Sequence, residues 1–93
     1  MAGTVIRKHY YFSGRVQGVG FRYKAMYLAR SLDLTGWAEN LWDGRVEMEV
    51  QGEAAKISRL ISRLQDDRFI VIDDIQEREI PVVEERGFGV KGY

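Results

Sequence analysis

The sequence has no cysteine. That excludes a disulfide framework, a thiolate metal site and a cysteine nucleophile. It has one histidine, His9, so no multi-histidine metal centre can form, and one proline, Pro81. It has no excess of either charge: 14 Lys and Arg balance 14 Asp and Glu. A general nucleic-acid or membrane-surface binder usually carries a basic surplus, so the balance leaves room only for a local basic patch. No apolar run approaches the ~20 residues of a membrane span. The opening "MAGTVIRKHYYF" lacks the long apolar stretch of a signal peptide. These absences set the expectation of a cytoplasmic monomer with no membrane or nucleic-acid partner. Repeats, linkers and low-complexity segments are also missing, and 93 residues fit one domain, 1–93. What is present is a hydrophobic share of 45%, enough to build a core.

The order of elements follows from hydrophobic spacing. Residues 5–13, "VIRKHYYFS", are rich in β-branched and aromatic side chains and read as a strand. From Phe21 the apolar positions Phe21, Ala25, Leu28, Ala29 and Leu32 form one helical face ending near Asp33. Residues 35–41 read as a second strand, and Asp43-Gly44 signals a tight hairpin turn. In residues 45–51, Val46, Met48 and Val50 alternate with charged and polar neighbours, the mark of a half-buried strand. Ala54, Ile57, Leu60, Ile61 and Leu64 give a second amphipathic helix over 53–66. A fourth strand follows in "FIVIDDIQEREI" and a short one in "GFGVKGY". The order β-α-β-β-α-β is that of a ferredoxin-like α+β sandwich: two helices on one face of a mainly antiparallel sheet of four to five strands.

This topology bears on chemistry. The first two strands run parallel, with the third between them, so their C-terminal ends share one edge of the sheet. The stretch "SGRVQGVGFR", Ser13 to Arg22, lies at that edge and leads into the first helix. Arg22 and Asn40 can then face the same small volume. A loop entering a helix offers backbone N–H groups with no intrahelical partner, and the helix dipole adds positive potential. Glycines at 14, 18 and 20 permit the φ values that turn successive N–H groups into an anion nest. Arg22 adds a planar fork matched to phosphate oxygens. The implied ligand is a small tetrahedral dianion held by the amides of Val16, Gln17, Gly18, Val19, Gly20 and Phe21 and clamped by Arg22. Nothing here ends in Gly-Lys-Ser/Thr, so this is not a Walker loop. Spacing alone is equally satisfied by a glycine loop that merely turns the chain.

The segments "SGRVQGVGFR" and "LTGWAENLWDGRVEMEVQG" resemble the acylphosphatase family, the second through its Gly-Trp-x-x-Asn-x-x-Asp-Gly-x-Val-x-x-x-x-x-Gly pattern. The resemblance implies a compact ferredoxin-like enzyme that hydrolyses carboxyl-phosphate anhydrides without metal, cofactor or covalent intermediate. It places the catalytic arginine on Arg22 and the catalytic asparagine on Asn40. A small acyl phosphate is then the substrate, and inorganic phosphate the product and expected inhibitor. Two places depart from the family: Asp33 stands where glycine is usual, and the chain ends "FGVKGY", with Lys91 for arginine and Tyr93 one place late.

Asn40 carries both an acceptor and a donor, so it suits orienting a water; it is a weak base. The alternative reading is a ferredoxin-like module that binds phosphate or nucleic acid without turnover. Tyr10, Tyr11, Phe12, Trp37 and Trp42 motivate the nucleic-acid version, because sheet aromatics can stack on bases; core or surface packing is the expectation for them. Arg15 is read as a solvated charge at the loop rim, and His9 as a mid-strand residue facing away from Tyr10 and Phe12. The acids of "DDRFIVIDDI" are read as strand-end or edge protection rather than a metal site.

Overall fold

A computed structural model describes residues 3–92; Tyr93 lies outside the described residues. The elements are β1 (Val5–Arg15), α1 (Phe21–Ser31), β2 (Thr35–Asn40), β3 (Val46–Glu53), α2 (Ala54–Gln65), β4 (Val71–Ile80) and β5 (Phe88–Lys91). They build a mixed five-stranded sheet in the order β4-β1-β3-β2-β5. β3 runs antiparallel to both β1 and β2, so β1 and β2 are parallel, as the topology requires. β5 pairs parallel to β2, with Gly36 opposite Phe88. The fold is the ferredoxin-like α+β arrangement expected from the sequence.

Alternation decides which face is the core. Tyr10 and Phe12 of β1 lie opposite Met48 and Val46 of β3, and all four are buried. Phe21, Ala25 and Ala29 of α1 and Ile57, Leu60 and Leu64 of α2 join them in one cluster. Both helices therefore lie on one face of the sheet. Burial, then the negative charge of Glu77 and a hydrogen bond to it, push the Tyr10 phenol well above its usual range.

Two glycine questions are settled by packing. Asp33, where glycine would be easiest, adopts a left-handed φ of 57°. It closes α1 in a Schellman motif: Leu34 N–H donates to the Ala29 carbonyl at 2.8 Å and Asp33 N–H to that of Arg30 at 3.3 Å. Gly14, expected in the anion nest, instead belongs to β1, which runs two residues beyond the expected Ser13. The β1–β4 register shifts between Ser13 and Gly14, and a Cβ on Gly14 would stand 2.2 Å from the Val71 carbonyl oxygen. Its small size serves a β-bulge. The turn proper is residues 16–20.

The other face of the sheet carries polar residues, and residues 81–87 strap across part of it. Arg7, only 2% exposed, reaches Glu49 at 2.9 Å and Glu85 at 2.7 Å. Gln51 exchanges two hydrogen bonds with the backbone of Val83, at 2.8 and 2.9 Å. Burial alone would raise the Glu85 carboxyl, but bonds from Arg7 and Thr35 and the charges of Arg7 and Lys91 outweigh it and hold it below the usual range. Glu85→Gln leaves the buried guanidinium short of one partner and should cost about 2 kcal/mol in urea unfolding at pH 7. A carboxyl with a depressed folded value stabilises above its ordinary pKa, and that stability fades as pH falls through the folded value. The gap between wild type and variant should accordingly start to narrow as pH falls through the ordinary glutamate value of about 4.3 and vanish only below the depressed folded one; a gap constant with pH would remove Glu85 from this role.

β4 is an outer strand. Asp73, Asp74, Glu77 and Glu79 are exposed along it, the charge pattern that discourages edge-to-edge pairing. No helix among the described residues is long and apolar enough to cross a membrane.

Candidate active site

The shared edge of β1 and β2 is where the expected residues meet. α1 begins at Phe21 with Gly20 as its N-cap residue, in a left-handed conformation (φ 80°), and no side chain caps it. No acid occupies its first turn. Gly18 also has positive φ, at 74°, and a Cβ at either glycine would meet nothing within 4 Å. The demand at these two positions is thus conformational, and the space above them is open. An uncapped helix N-terminus beneath open space, with no competing carboxylate in its first turn, is favourable ground for an anion.

A pocket of 160 Å³ opens there, lined by Val16, Gly18, Gly20, Phe21, Tyr23, Arg22 and Asn40. Arg22 comes from the first turn of α1 and Asn40 from the last position of β2, paired with Val46. Val16 and Phe21 are buried and anchor the two ends of the turn in the core. The Val19 side chain packs against that core and the Gln17 side chain turns to the hairpin, which leaves only their main chain toward the turn.

Three features of the site were not foreseen. Gln17 Nε2 donates to the carbonyls of Leu41 (2.7 Å) and Arg45 (3.0 Å), stapling the glycine turn to the β2–β3 hairpin. Arg22 Nη1 donates to the Lys91 carbonyl at 2.6 Å, so the end of β5 holds the guanidinium. Gly92 passes near both site residues: a Cβ there would lie 3.8 Å from Arg22 Nη1 and 3.9 Å from the Asn40 main-chain carbonyl oxygen. The hairpin itself is braced by Asp43, which accepts from the backbone N–H of Arg45 at 3.1 Å and its Nε at 2.8 Å. The first of these bonds is the main cause holding the Asp43 carboxyl below its usual range.

The remaining candidates lie apart from the pocket. His9 is on the opposite sheet face, 2.7 Å from Glu47, as alternation requires. Arg15 is exposed. The aromatic residues are dispersed: Tyr10 and Phe12 are in the core, Arg45 covers Tyr11, Lys91 covers Trp37, and Trp42 stands exposed on the hairpin turn.

The chain has relatives among known proteins. The family model for acylphosphatases matches residues 8–90. An acylphosphatase of Clostridium perfringens is 46% identical over 79 residues, 84% of this chain and 89% of that protein. One of Bifidobacterium longum is 37% identical over 93 residues, 97% of this chain and 96% of that protein. The solved structure of an acylphosphatase from Coxiella burnetii superposes with a TM-score of 0.86 at 34% identity, covering 94% of this chain and 93% of that one.

Proposed function

The chain belongs to the acylphosphatase family, and on that premise we propose that it hydrolyses small acyl phosphates to carboxylate and inorganic phosphate at the Arg22–Asn40 pocket. The observation that carries this reading is the convergence of these two side chains on one 160 Å³ pocket above Gly18 and Gly20. That volume is well below the ~300–1,000 Å³ of pockets for drug-sized ligands. It suits a phosphoryl group and a water, and is too small for a nucleotide.

In this mechanism the phosphoryl oxygens take hydrogen bonds from the amides of Val16, Gln17, Gly18, Val19, Gly20 and Phe21. Arg22 neutralises charge on them. Preformed donors of this kind need no reorganisation as charge shifts in the transition state. Asn40 accepts from a water and holds it in line with the bond to be broken. The water oxygen bonds to phosphorus, and the P–O bond to the acyl group breaks with its electron pair on the departing carboxylate. The water's proton passes to a phosphoryl oxygen. The carboxylate is a good leaving group, so the barrier to be lowered is smaller than for a phosphate monoester.

Benzoyl phosphate in the presence of EDTA is the direct test. We expect one benzoate and one phosphate released per turnover, with added inorganic phosphate inhibiting competitively. A chain that bound phosphate and left benzoyl phosphate intact would be a binding module instead. Noncompetitive inhibition would mean that product does not occupy this cradle.

A further inference from the structure

A pocket large enough only for phosphoryl group and water raises the question of where the acyl half of the substrate lies. A groove of 730 Å³ adjoins the pocket and shares Gly20 and Tyr23 with it. It runs along the exposed side of α1, past Tyr27 and Leu28, and is closed on its far side by Arg63 of α2 and the turn at Asp67. Tyr23 and Tyr27 occupy successive turns of the helix and are 55% and 66% exposed. Neither belongs to the core.

The groove is fixed rather than accidental. Lys24 pairs with Asp67, tying α1 to the α2–β4 turn. Asp67 also accepts from the backbone N–H groups of Phe69 at 2.8 Å and Ile70 at 3.2 Å. Arg68, which also lines the groove, lies over the ring of Phe69. What remains facing the groove from α1 is chiefly aromatic and aliphatic surface.

We propose that this groove is the acyl subsite: the acyl group leaves the phosphate cradle over Gly20 and lies on Tyr23 and Tyr27, favouring aryl or extended alkyl acyl phosphates over acetyl phosphate. The inference rests on the acyl phosphatase activity proposed above and adds the substrate class to it. Its occupant follows from continuity, because a phosphoryl group in the cradle directs its bridging anhydride oxygen, which carries the acyl group, toward one of the pocket's open borders, and Gly20 and Tyr23 form the border that leads to apolar surface.

The test compares acetyl phosphate and benzoyl phosphate on wild type, Tyr27→Ala and Tyr27→Phe. Tyr27 is outside the cradle, and its exposure makes the substitutions safe for folding. Tyr27→Ala should lower kcat/KM for benzoyl phosphate about tenfold more than for acetyl phosphate, the scale expected for lost apolar contact. Tyr27→Phe should restore the wild-type ratio, because ring contact and not the hydroxyl is at work. Inhibition of acetyl phosphate hydrolysis by phenylphosphonate should weaken in Tyr27→Ala, with inhibition by methylphosphonate weakening less. An unchanged ratio of the two kcat/KM values in Tyr27→Ala overturns the subsite while leaving the activity standing. Failure of wild type to hydrolyse either substrate overturns the activity itself, and the subsite with it.

Discussion

Replacing Arg22 by alanine should lower kcat/KM for acyl phosphate hydrolysis by about 10³-fold or more and remove binding of inorganic phosphate in the same variant. Both effects come from one cause. Among the side chains lining the pocket, Arg22 is the one with a positive charge, and the dianion is present in substrate, transition state and product alike. The backbone amides and helix dipole remain in the variant, so residual activity above the uncatalysed rate is expected. Arg22→Lys keeps the charge and loses the shape. A guanidinium can spend one N–H on the Lys91 carbonyl, 2.6 Å away, and still present others to a phosphoryl group. An ammonium bonded to that carbonyl has no fixed fork left to offer. The lysine variant should therefore retain weak phosphate binding yet lose about 10²-fold in kcat. Steady-state kinetics with benzoyl phosphate and calorimetric titration with phosphate distinguish these cases. Since Arg22 lies outside the core, circular dichroism should show both variants folded. An alanine variant that bound phosphate as tightly as wild type would mean that the anion sits elsewhere.

The fold was legible because its elements obey local rules. The helical spacing of Phe21, Ala25 and Ala29 and the alternation of Val46, Met48 and Val50 act within a few residues and are found in place; the hairpin at Asp43-Gly44 is present but wider than a two-residue turn, closed by Leu41 and Arg45, with Gly44 (φ 96°) and not Asp43 at positive φ. The convergence of Arg22 and Asn40 was legible for a different reason: a right-handed crossover followed by a hairpin brings the ends of β1 and β2 together whatever the intervening side chains. What escaped depends on long-range partners or on the main chain. The bond from Arg22 is to the carbonyl of Lys91, 69 residues away, and a backbone carbonyl leaves no mark in residue type. Gly14 looked like part of the anion nest because its reason for being glycine, the Val71 carbonyl, comes from a strand remote in sequence. The same holds for Arg7 and Glu85, 78 residues apart, and for the strap between β4 and β5 that their pairing secures. Gln17 sat inside the motif, yet its side chain braces the hairpin, and only the closure of that hairpin against the glycine turn gives it two carbonyls to bind.

Asn40→Ala should separate binding from turnover, which Arg22→Ala cannot do. The proposal gives Asn40 the water and not the anion, so kcat should fall about 10²–10³-fold while the inhibition constant for phosphate shifts by no more than about threefold. The scaffold makes the separation clean. Asn40 is fixed by its strand position opposite Val46, and the hairpin just beyond it is closed by the Leu41 N–H on the Arg45 carbonyl at 2.8 Å. Gln17 bonds the carbonyls of those same two residues, so hairpin and cradle keep their relation when the Asn40 side chain is shortened. In the proposal the anion is held by the glycine turn and Arg22, with no part for the Asn40 side chain. Asn40→Asp sharpens the argument. A stronger base would help if Asn40 removed a proton, but a carboxylate facing a phosphoryl dianion repels it. If orientation is the role, the aspartate variant should be worse than alanine in phosphate affinity and no better in kcat. Recovery of activity in Asn40→Asp at neutral pH would make position 40 a proton acceptor. Equal loss of phosphate affinity and kcat in Asn40→Ala would instead put its amide on the anion, and the water would need another holder.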